Sequence, residues 1–296
     1  MEGSVERKEG YVITKINNKC NSLCNFCADD WNVRNKPDPS FADIKEQLDN
    51  GVKQGFHKLI ITGGEPTISP ILFRVIDYAR SIGYDTIYLT TNGRALSIEH
   101  FFNKIIKVID RFLVSFFEFY PEVYDDIAGV KSYLQVLTGL KRLSRVNKDY
   151  MVNAVITKQN YTHMRELLIL LISLNAKHIQ FSFLNPVGFA RRFKDKVLIN
   201  YKDVIPYVYE VIKTAEYLNF KNFSFENFPV CVFGQDYKRV LPYLSDLKHP
   251  RENKEYYSTG KYKPEECKRC KFNDVCEGIF YEYYKLFGDS ELNPIE

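Results

Sequence analysis

Short β-branched segments alternate, through the first two-thirds of the chain, with longer stretches whose apolar residues recur at helical spacing. This alternation is typical of strand–helix units arranged around a parallel sheet. The pattern predicts six strands, at Tyr11–Ile16, Lys58–Thr62, Thr86–Thr90, Arg111–Phe116, Tyr150–Val155 and His178–Phe183.

The segments between these strands carry helix signals of their own. Ser40 precedes the predicted helix Phe41–Gln54 as an N-cap, and Pro70 precedes Ile71–Ile82. Apolar spacing predicts further helices at Ser132–Arg145, Tyr161–Leu174 and Val204–Asn219. Six strand–helix units are too few to close an eight-stranded barrel. The predicted fold class is therefore α/β with a parallel sheet.

The character of the sequence changes after Phe220. Prolines become frequent, regular periodicity is lost, and four of the seven cysteines appear. We therefore predict two domains, residues 1–221 and residues 222–296, and expect the second to bind a metal.

The overall composition limits the class of protein. The 296 residues suffice for a barrel with a small appendage. The longest apolar run, Leu167–Leu174 with one interrupting serine, is too short to span a bilayer, and the charged first ten residues do not form a secretory signal. Clustered cysteines in a chain without export features favour metal ligation over disulfides. The cytoplasm is the expected compartment, and no membrane association is predicted.

The charge balance is close to neutral, with 41 basic and 37 acidic side chains and a net charge of +4. Basic residues gather at 141–148 and at 191–196. We interpret both groups as solvated faces, because nucleic-acid-binding domains usually carry a stronger basic bias. Nucleic acid is therefore not an expected partner.

Three cysteines follow the first predicted strand. Cys20, Cys24 and Cys27 have the spacing C-x₃-C-x₂-C. Three thiolates on one short loop suit a [4Fe–4S] cluster in which one iron has no protein ligand and can bind a substrate or cofactor. A zinc site, which usually combines two close ligands with a distant second pair, is the alternative.

A polar turn follows the second predicted strand, with the sequence Thr62-Gly63-Gly64-Glu65-Pro66-Thr67. Adjacent glycines let the backbone bend sharply and approach a ligand closely. Polar backbone groups and a carboxylate at the carboxyl end of a strand suit the binding of an ammonium group.

The cysteine loop, with Phe26 before its last cysteine, resembles the signature of the radical S-adenosylmethionine (SAM) superfamily, and residues 63–66 are similar to that family's GGEP motif. The resemblance implies a partial (β/α)₆ TIM-like barrel, with a [4Fe–4S] cluster on Cys20, Cys24 and Cys27. It also implies that Gly63, Gly64, Glu65 and Pro66 cradle the amino group of SAM. Reductive cleavage of SAM would give a 5′-deoxyadenosyl radical that abstracts hydrogen from a substrate. An electron donor such as flavodoxin or ferredoxin is the implied partner.

The same resemblance implies roles for other strand ends. Thr91 and Asn92 would lie over the cofactor, Ser115 and Asn153 would contact the ribose and carboxylate of SAM, and Val187 would back the adenine. For Ser115, Asn153 and Val187, ordinary barrel lining is the alternative.

The C-terminal cysteines form a second set. Cys267, Cys270 and Cys276 have the spacing C-x₂-C-x₅-C, and Cys231 stands upstream. Four thiolates can close a second [4Fe–4S] cluster or a zinc site. The arrangement resembles the SPASM or twitch domain of radical SAM enzymes, which implies an auxiliary cluster. Cys231 is expected to be a ligand, and the alternative role is that of a hydrogen-atom donor.

These resemblances imply a radical SAM oxidoreductase. We expect a maturase that modifies a peptide or protein by crosslinking, epimerisation or oxidation, and the alternative is an enzyme of cofactor, sugar or nucleoside biosynthesis. Few residues precede the first strand, so a leader peptide would need a separate binding protein or a direct cleft. Glu118, Tyr120 and Arg191 follow strand ends and are candidates for the substrate site, where surface or core roles explain them equally well.

Overall fold

One sheet of seven parallel strands forms the framework, and the strands lie in the order in which they occur along the chain. The computed structural model describes residues 7–248 and 260–296. Among those residues no pairing joins the first strand to the seventh, so the sheet is an open, partial barrel. The strands are β1 Val12–Lys15, β2 Lys58–Thr62, β3 Thr86–Thr91, β4 Arg111–Ser115, β5 Asp149–Ile156, β6 His178–Phe183 and β7 Phe223–Glu226.

Helices and short 3₁₀ turns connect the strands. Ser40 caps the helix Phe41–Lys53 as predicted, because its hydroxyl accepts from the amide of Asp43 while the Asp43 carboxylate accepts from the amide of Ser40. The helices up to residue 248 are α1 Trp31–Arg34, α2 Phe41–Lys53, α3 Leu72–Ser81, α4 Glu99–Ile105, α5 Pro121–Ala128, α6 Tyr133–Arg145, α7 Met164–Ser173, α8 Phe189–Arg192, α9 Lys194–Val197, α10 Tyr201–Tyr217, α11 Tyr237–Val240 and α12 Ser245–Lys248.

The predicted α/β fold with a partial barrel is confirmed, and each of the six predicted strands ends within one residue of its position in the structure. The strand count of six was wrong, because β7 pairs with β6 as a seventh strand. Its four residues, Phe-Ser-Phe-Glu, are too few to give a clear strand pattern. Helices α4 and α5 were also not predicted. The sheet continues past residue 221, and the division into two domains at that point stays a prediction.

The two faces of the sheet differ in polarity. In β5, Tyr150, Val152, Ala154 and Ile156 are buried, whereas the residues between them are half-buried. Alternate side chains of a strand point to opposite faces, so one face packs under the helices and the other faces the interior of the partial barrel. The interior-facing positions include Lys15, Thr62, Ser115, Asn153 and Gln180. A polar interior of this kind suits a ligand site better than a packed core.

An aromatic cluster joins the C-terminal residues to the barrel. Tyr283 lies in the helix Tyr281–Phe287 and is 1% exposed. Its ring centroid lies 4.9 Å from that of Tyr201 at the start of α10, and the Tyr201 ring stacks on Phe183 of β6 at 3.9 Å. Just before this helix, a two-stranded antiparallel sheet pairs Lys261–Tyr262 with Ile279–Phe280. The cysteine-bearing C-terminal segment is therefore fixed to the barrel by buried aromatic contacts.

No helix among the described residues is both long enough and apolar enough to cross a membrane.

Glu65 ties the end of β2 to the end of β3. Its carboxylate is 1% exposed and accepts four hydrogen bonds, from the amide and hydroxyl of Thr67 at 3.0 and 2.6 Å, the hydroxyl of Thr91 at 2.7 Å and the amide of Asn92 at 2.6 Å. Burial raises the pKa of this carboxyl, although the hydrogen bonds oppose the rise. Four bonds fill the accepting capacity of a carboxylate. The Glu65 side chain thus serves the framework that joins β2 to β3.

We expect Glu65→Gln to destabilise the protein by about 1–3 kcal/mol, because one carboxylate oxygen becomes an amino group and a buried donor loses its acceptor. The midpoint of urea unfolding, followed by far-ultraviolet circular dichroism, measures the change. Glu210→Gln, at an exposed position of α10, is the matched control and should leave the midpoint unchanged. Equal midpoints for both variants would contradict a structural role for the Glu65 carboxylate.

Candidate active site

The cysteine loop lies across the carboxyl ends of the strands, where parallel sheets bind their ligands. We call residues 17–28 the ligand loop. The amide of Glu65 donates to the carbonyl of Lys19 at 2.8 Å, and the amide of Gly64 donates to the carbonyl of Asn17 at 2.9 Å. The amide of Phe189, after β6, donates to the carbonyl of Cys27 at 2.8 Å. Both ends of the ligand loop are therefore held by the barrel backbone.

The middle of the ligand loop is held by helices. The amides of Leu23 and Asn25 donate to carbonyls at the end of α5, each at 2.9 Å. Arg34 of α1 is buried, and its guanidinium donates to the carbonyl of Ser22 at 2.5 Å. The side chain of Asn92 donates to that of Asn21 at 2.7 Å. Backbone groups that would otherwise need water are thus paired within the protein, which lets the loop keep one conformation.

Two glycines allow the strand ends to approach the ligand loop. A Cβ atom on Gly64 would lie 2.2 Å from the carbonyl oxygen of Lys19, and one on Gly188 would lie 2.1 Å from that of Ala28. Gly188 also has φ +58°, a conformation that side chains disfavour. The predicted close approach at the Gly63–Gly64 turn is therefore an approach to the ligand loop itself. A similar approach at Gly188, after β6, was not predicted.

Cys20, Cys24 and Cys27 stand close together on this loop, and proximity to the other two helps to raise the pKa of the Cys24 thiol, after burial as the main cause. The amide of Ser22 donates to the sulfur of Cys20 at 3.4 Å, an interaction that stabilises a thiolate. Among the described residues, no three His, Cys, Asp or Glu side chains converge closely enough to hold a single metal ion. A cubane [4Fe–4S] cluster needs its cysteine thiolates farther apart than a single metal ion does, because each thiolate binds a different iron atom. Three soft donors on a fixed loop fit such a cluster.

Aromatic rings lie under the ligand loop. The ring of Phe26 meets that of Phe117 edge-on at 4.9 Å, and Phe117 stacks on Tyr124 at 4.4 Å. Tyr124 is buried and lies near the Cys24 thiol. Phe26 thus fixes the last turn of the loop by packing, and it lowers the local polarity around the cysteines.

Polar side chains of the interior face meet where β5, β6 and β7 lie side by side. Ser115 and Asn153 are neighbours in the sheet, as are Ser182 and Glu226. The hydroxyl oxygen of Ser182 lies 2.7 Å from the carboxamide oxygen of Asn153 and 2.8 Å from the carboxylate of Glu226, and Gln180 donates to the same carboxylate at 2.8 Å. A hydroxyl carries one hydrogen, so Ser182 can donate to only one of these acceptors at a time. The side chains of Asn153, Ser182 and Glu226 therefore form one connected polar group on the interior face, which suits a polar ligand.

The four C-terminal cysteines gather although at least 35 residues lie between Cys231 and the others. Cys231 is 6% exposed, and burial raises the pKa of its thiol to about 12, with Cys276, Cys267 and Cys270 near enough to contribute. The amide of Gly278 donates to the sulfur of Cys276 at 3.4 Å. Amide donors to cysteine sulfur are typical of thiolates that bind metal.

The structure brings together most of the residues that the sequence singled out. Thr91, Asn92 and the turn 63–66 adjoin the ligand loop through Glu65 and Asn21, whereas Val187 lies in the turn before Gly188. Glu118 is buried and contacts His163 at 2.8 Å, next to Tyr120, so it forms a structural pair at the rim.

Sequence patterns did not find Arg34, Gln180, Ser182 or Glu226. The last of these lies on the missed strand, and none stands in a recognisable motif.

Comparison with protein families gives a match to the Radical SAM superfamily over residues 14–171. Curated relatives include a probable GTP 3′,8-cyclase of Sulfurisphaera tokodaii, 26% identical over 58% of this chain and 55% of that protein. Another is the AdoMet-dependent heme synthase of Oleidesulfovibrio alaskensis, 23% identical over 69% of this chain and 53% of that protein. The chain spans about half the length of these relatives.

Solved structures with a similar fold extend over nearly the whole chain. Streptococcus suis SuiB bound to S-adenosylmethionine has a TM-score of 0.67 at 17% identity, over 93% of this chain and 74% of that one. The structure of anSMEcpe with bound AdoMet and a peptide has a TM-score of 0.66 at 16% identity, over 96% of this chain and 92% of that one. At these identities the likeness concerns the fold. The family match, in contrast, covers more than half of the 296 residues and includes the cysteine loop, so this chain is an enzyme of the radical SAM superfamily.

Proposed function

We propose that this radical SAM enzyme is a maturase that modifies a peptide or protein substrate. The observation that carries the proposal is the gathering of Cys231, Cys267, Cys270 and Cys276 beside the barrel. Four thiolates would close an auxiliary [4Fe–4S] cluster completely and leave no iron open to a substrate. A small-molecule enzyme that binds its substrate on an auxiliary iron would need one ligand fewer.

The fixed ligand loop and the polar interior support the following roles for named residues. Cys20, Cys24 and Cys27 would hold the barrel cluster, which together with SAM supplies a carbon radical able to remove hydrogen from an unactivated carbon. The backbone of residues 63–66 would bind the amino group of SAM. Asn153 and Ser115 would accept from its hydroxyl groups. Phe26 and Phe117 would keep water away from the reacting atoms.

Two kinds of relative support different substrates. SuiB and anSMEcpe have each been solved with a bound peptide. Their similarity to this chain extends past the barrel, and it supports the first proposal. The GTP 3′,8-cyclases among the sequence relatives support a second candidate, a radical SAM enzyme of cofactor, sugar or nucleoside biosynthesis.

The direct test of the function compares two substrates. Where a short Cys-, Ser- or Gly-rich reading frame adjoins the gene, we expect incubation of its peptide with the enzyme, SAM and dithionite to yield 5′-deoxyadenosine. Mass spectrometry should then show loss of hydrogen from the peptide, or uptake of deuterium from D₂O if a residue is epimerised. GTP in place of the peptide should not be consumed. Consumption of GTP with an unchanged peptide would favour the small-molecule enzyme.

Metal analysis tests the two cysteine sets. We expect about eight iron atoms in the anaerobically reconstituted protein and about four in the Cys20/Cys24/Cys27→Ala variant, since each cluster holds four. Iron and sulfide quantitation with electron paramagnetic resonance measures both. Zinc with almost no iron in the variant would contradict an auxiliary cluster.

The Cys231→Ala variant separates the two roles of that residue. If Cys231 is a ligand together with the three other thiols, its replacement should lower the iron content below that of the wild type while the barrel cluster remains. The same iron and sulfide measurement reports this. Unchanged iron together with lost turnover would instead assign Cys231 to hydrogen-atom donation.

We expect Asn153→Ala to weaken SAM binding by about tenfold, which corresponds to about 1.4 kcal/mol for one lost hydrogen bond. Equilibrium dialysis of the reconstituted enzyme with SAM measures the affinity. Asn103→Ala, at an exposed position of α4, is the control. An unchanged affinity in the Asn153 variant would make that side chain ordinary barrel lining.

A further inference from the structure

We propose that a small acidic one-electron carrier protein docks on a surface beside the ligand loop, formed by Trp31 of α1 and by residues 189–196. We call this surface the docking face. The inference rests on the reductive chemistry of the proposed function, because the enzyme must obtain an electron from outside. The docking face combines three features that point to such a partner: positive charge, exposed aromatic rings and direct contact with the cysteine loop.

Positive charge dominates the docking face. Residues 191–196 are all exposed and include four basic side chains and one acidic one, Asp195, so the segment carries a net charge of +3. The basic side chains are Arg191, Arg192, Lys194 and Lys196. The amine of Lys158 adds to them, 3.3 Å from the backbone carbonyl of Asp195. A positive patch of this kind attracts an acidic protein and speeds their association.

Apart from Asp195, the acidic groups around the docking face are engaged by other residues. Asp126 pairs with Lys196 at 2.6 Å, and Asp29 pairs with Lys15 at 2.7 Å. Asp30 accepts from the amides of Asn32 and Val33 and so caps α1. Glu282 lies close enough to Arg191 to interact with it. These pairs neutralise Lys196 and part of the charge of Arg191, and they leave Arg192 and Lys194 as the most available positive charges.

Exposed aromatic rings supply an apolar centre. Trp31 is 44% exposed and Phe193 is 41% exposed. The ring of Trp31 packs edge-on against Phe189 at 5.3 Å, and Phe189 lies 6.2 Å from Phe193. The three rings therefore form one supported group rather than isolated side chains. Tryptophan with arginine around it is the composition typical of residues that dominate protein interfaces.

The docking face is joined to the cysteine loop by short contacts. Phe189 donates its amide hydrogen to the carbonyl of Cys27, and Gly188 packs against Ala28. The guanidinium of Arg34 lies 5.0 Å from the ring of Phe189 and bonds to Ser22. A protein seated on Trp31 and Phe193 would thus stand next to the chain segment that holds Cys27.

The electron balance of the step is simple. The reduced carrier would lose one electron, and the cluster that Cys20, Cys24 and Cys27 would hold would gain it. No atom or proton needs to move between the two proteins. A surface for this purpose needs closeness and correct charge rather than a deep pocket, which matches the exposed rings of Trp31 and Phe193 on short helices.

The test measures binding first. Trp31 is the single tryptophan of the chain, so its fluorescence reports on the docking face. The probe is an acidic ferredoxin without tryptophan, titrated into the reconstituted enzyme at low and high salt. We expect saturable binding that weakens with salt, and Arg192→Glu/Lys194→Glu should weaken it by about tenfold or more. Lys141→Glu/Arg145→Glu, the same charge change on exposed residues of α6, is the matched control and should change the affinity less than twofold.

A second measurement separates this inference from the proposed function. Formation of 5′-deoxyadenosine is followed with reduced ferredoxin and, separately, with dithionite. We expect Arg192→Glu/Lys194→Glu to lower the ferredoxin-supported rate and to leave the dithionite-supported rate unchanged.

Equal ferredoxin binding by both charge variants would overturn the docking face. Loss of the dithionite-supported rate, or weaker binding of substrate peptide with normal ferredoxin binding, would also overturn it and would assign the surface to substrate. Absence of SAM cleavage by the wild type with dithionite would count against the proposed function, whereas the binding result would still decide the docking face.

Discussion

Backbone hydrogen bonds from the barrel to the ligand loop are the constraint on which the rest of the structure depends. They reach the loop from the ends of β2 and β6 and from α5, and they bind the carbonyls of Asn17, Lys19 and Cys27 and the amides of Leu23 and Asn25. Main-chain bonds of this kind hold without regard to side chains, so they fix the path of the loop even before a cluster is bound. Three thiols are thereby kept at one place on the rim of the barrel.

The close approach of Gly64 and Gly188 follows from the same constraint. The carbonyls of Lys19 and Ala28 lie where Cβ atoms would otherwise stand. The turn of residues 63–66 therefore packs directly against the ligand loop, and in the proposed function its backbone would also bind SAM. Glu65 adds stiffness by joining this turn to Thr91 and Asn92 at the end of β3. Rigid support around a reacting centre lowers the cost of holding substrates in position.

The seventh strand extends both the fold and the candidate chemistry. Through Glu226 it brings a carboxylate to the interior face, beside Ser182 and Asn153. Through the chain that follows it, β7 leads directly to Cys231. The aromatic cluster of Phe183, Tyr201 and Tyr283 then anchors the C-terminal segment to the same side of the barrel. The segment that carries the second cysteine set therefore packs against the barrel.

The sequence by itself determined the six strands from Tyr11 to Phe183, the helices with clear caps, and the cysteine loop with its Gly-Gly-Glu-Pro turn, because these features depend on local periodicity and on short motifs. It also indicated that Cys231 belongs with the C-terminal cysteines. Only the tertiary structure decided that β7 joins the sheet, since four residues carry too little pattern. The same holds for the Glu65 carboxylate, the network of Asn153, Ser182 and Glu226, and the position of Trp31 beside Phe189. These depend on pairing between residues far apart in the chain, which is set by strand register and close packing and leaves no local trace in the sequence.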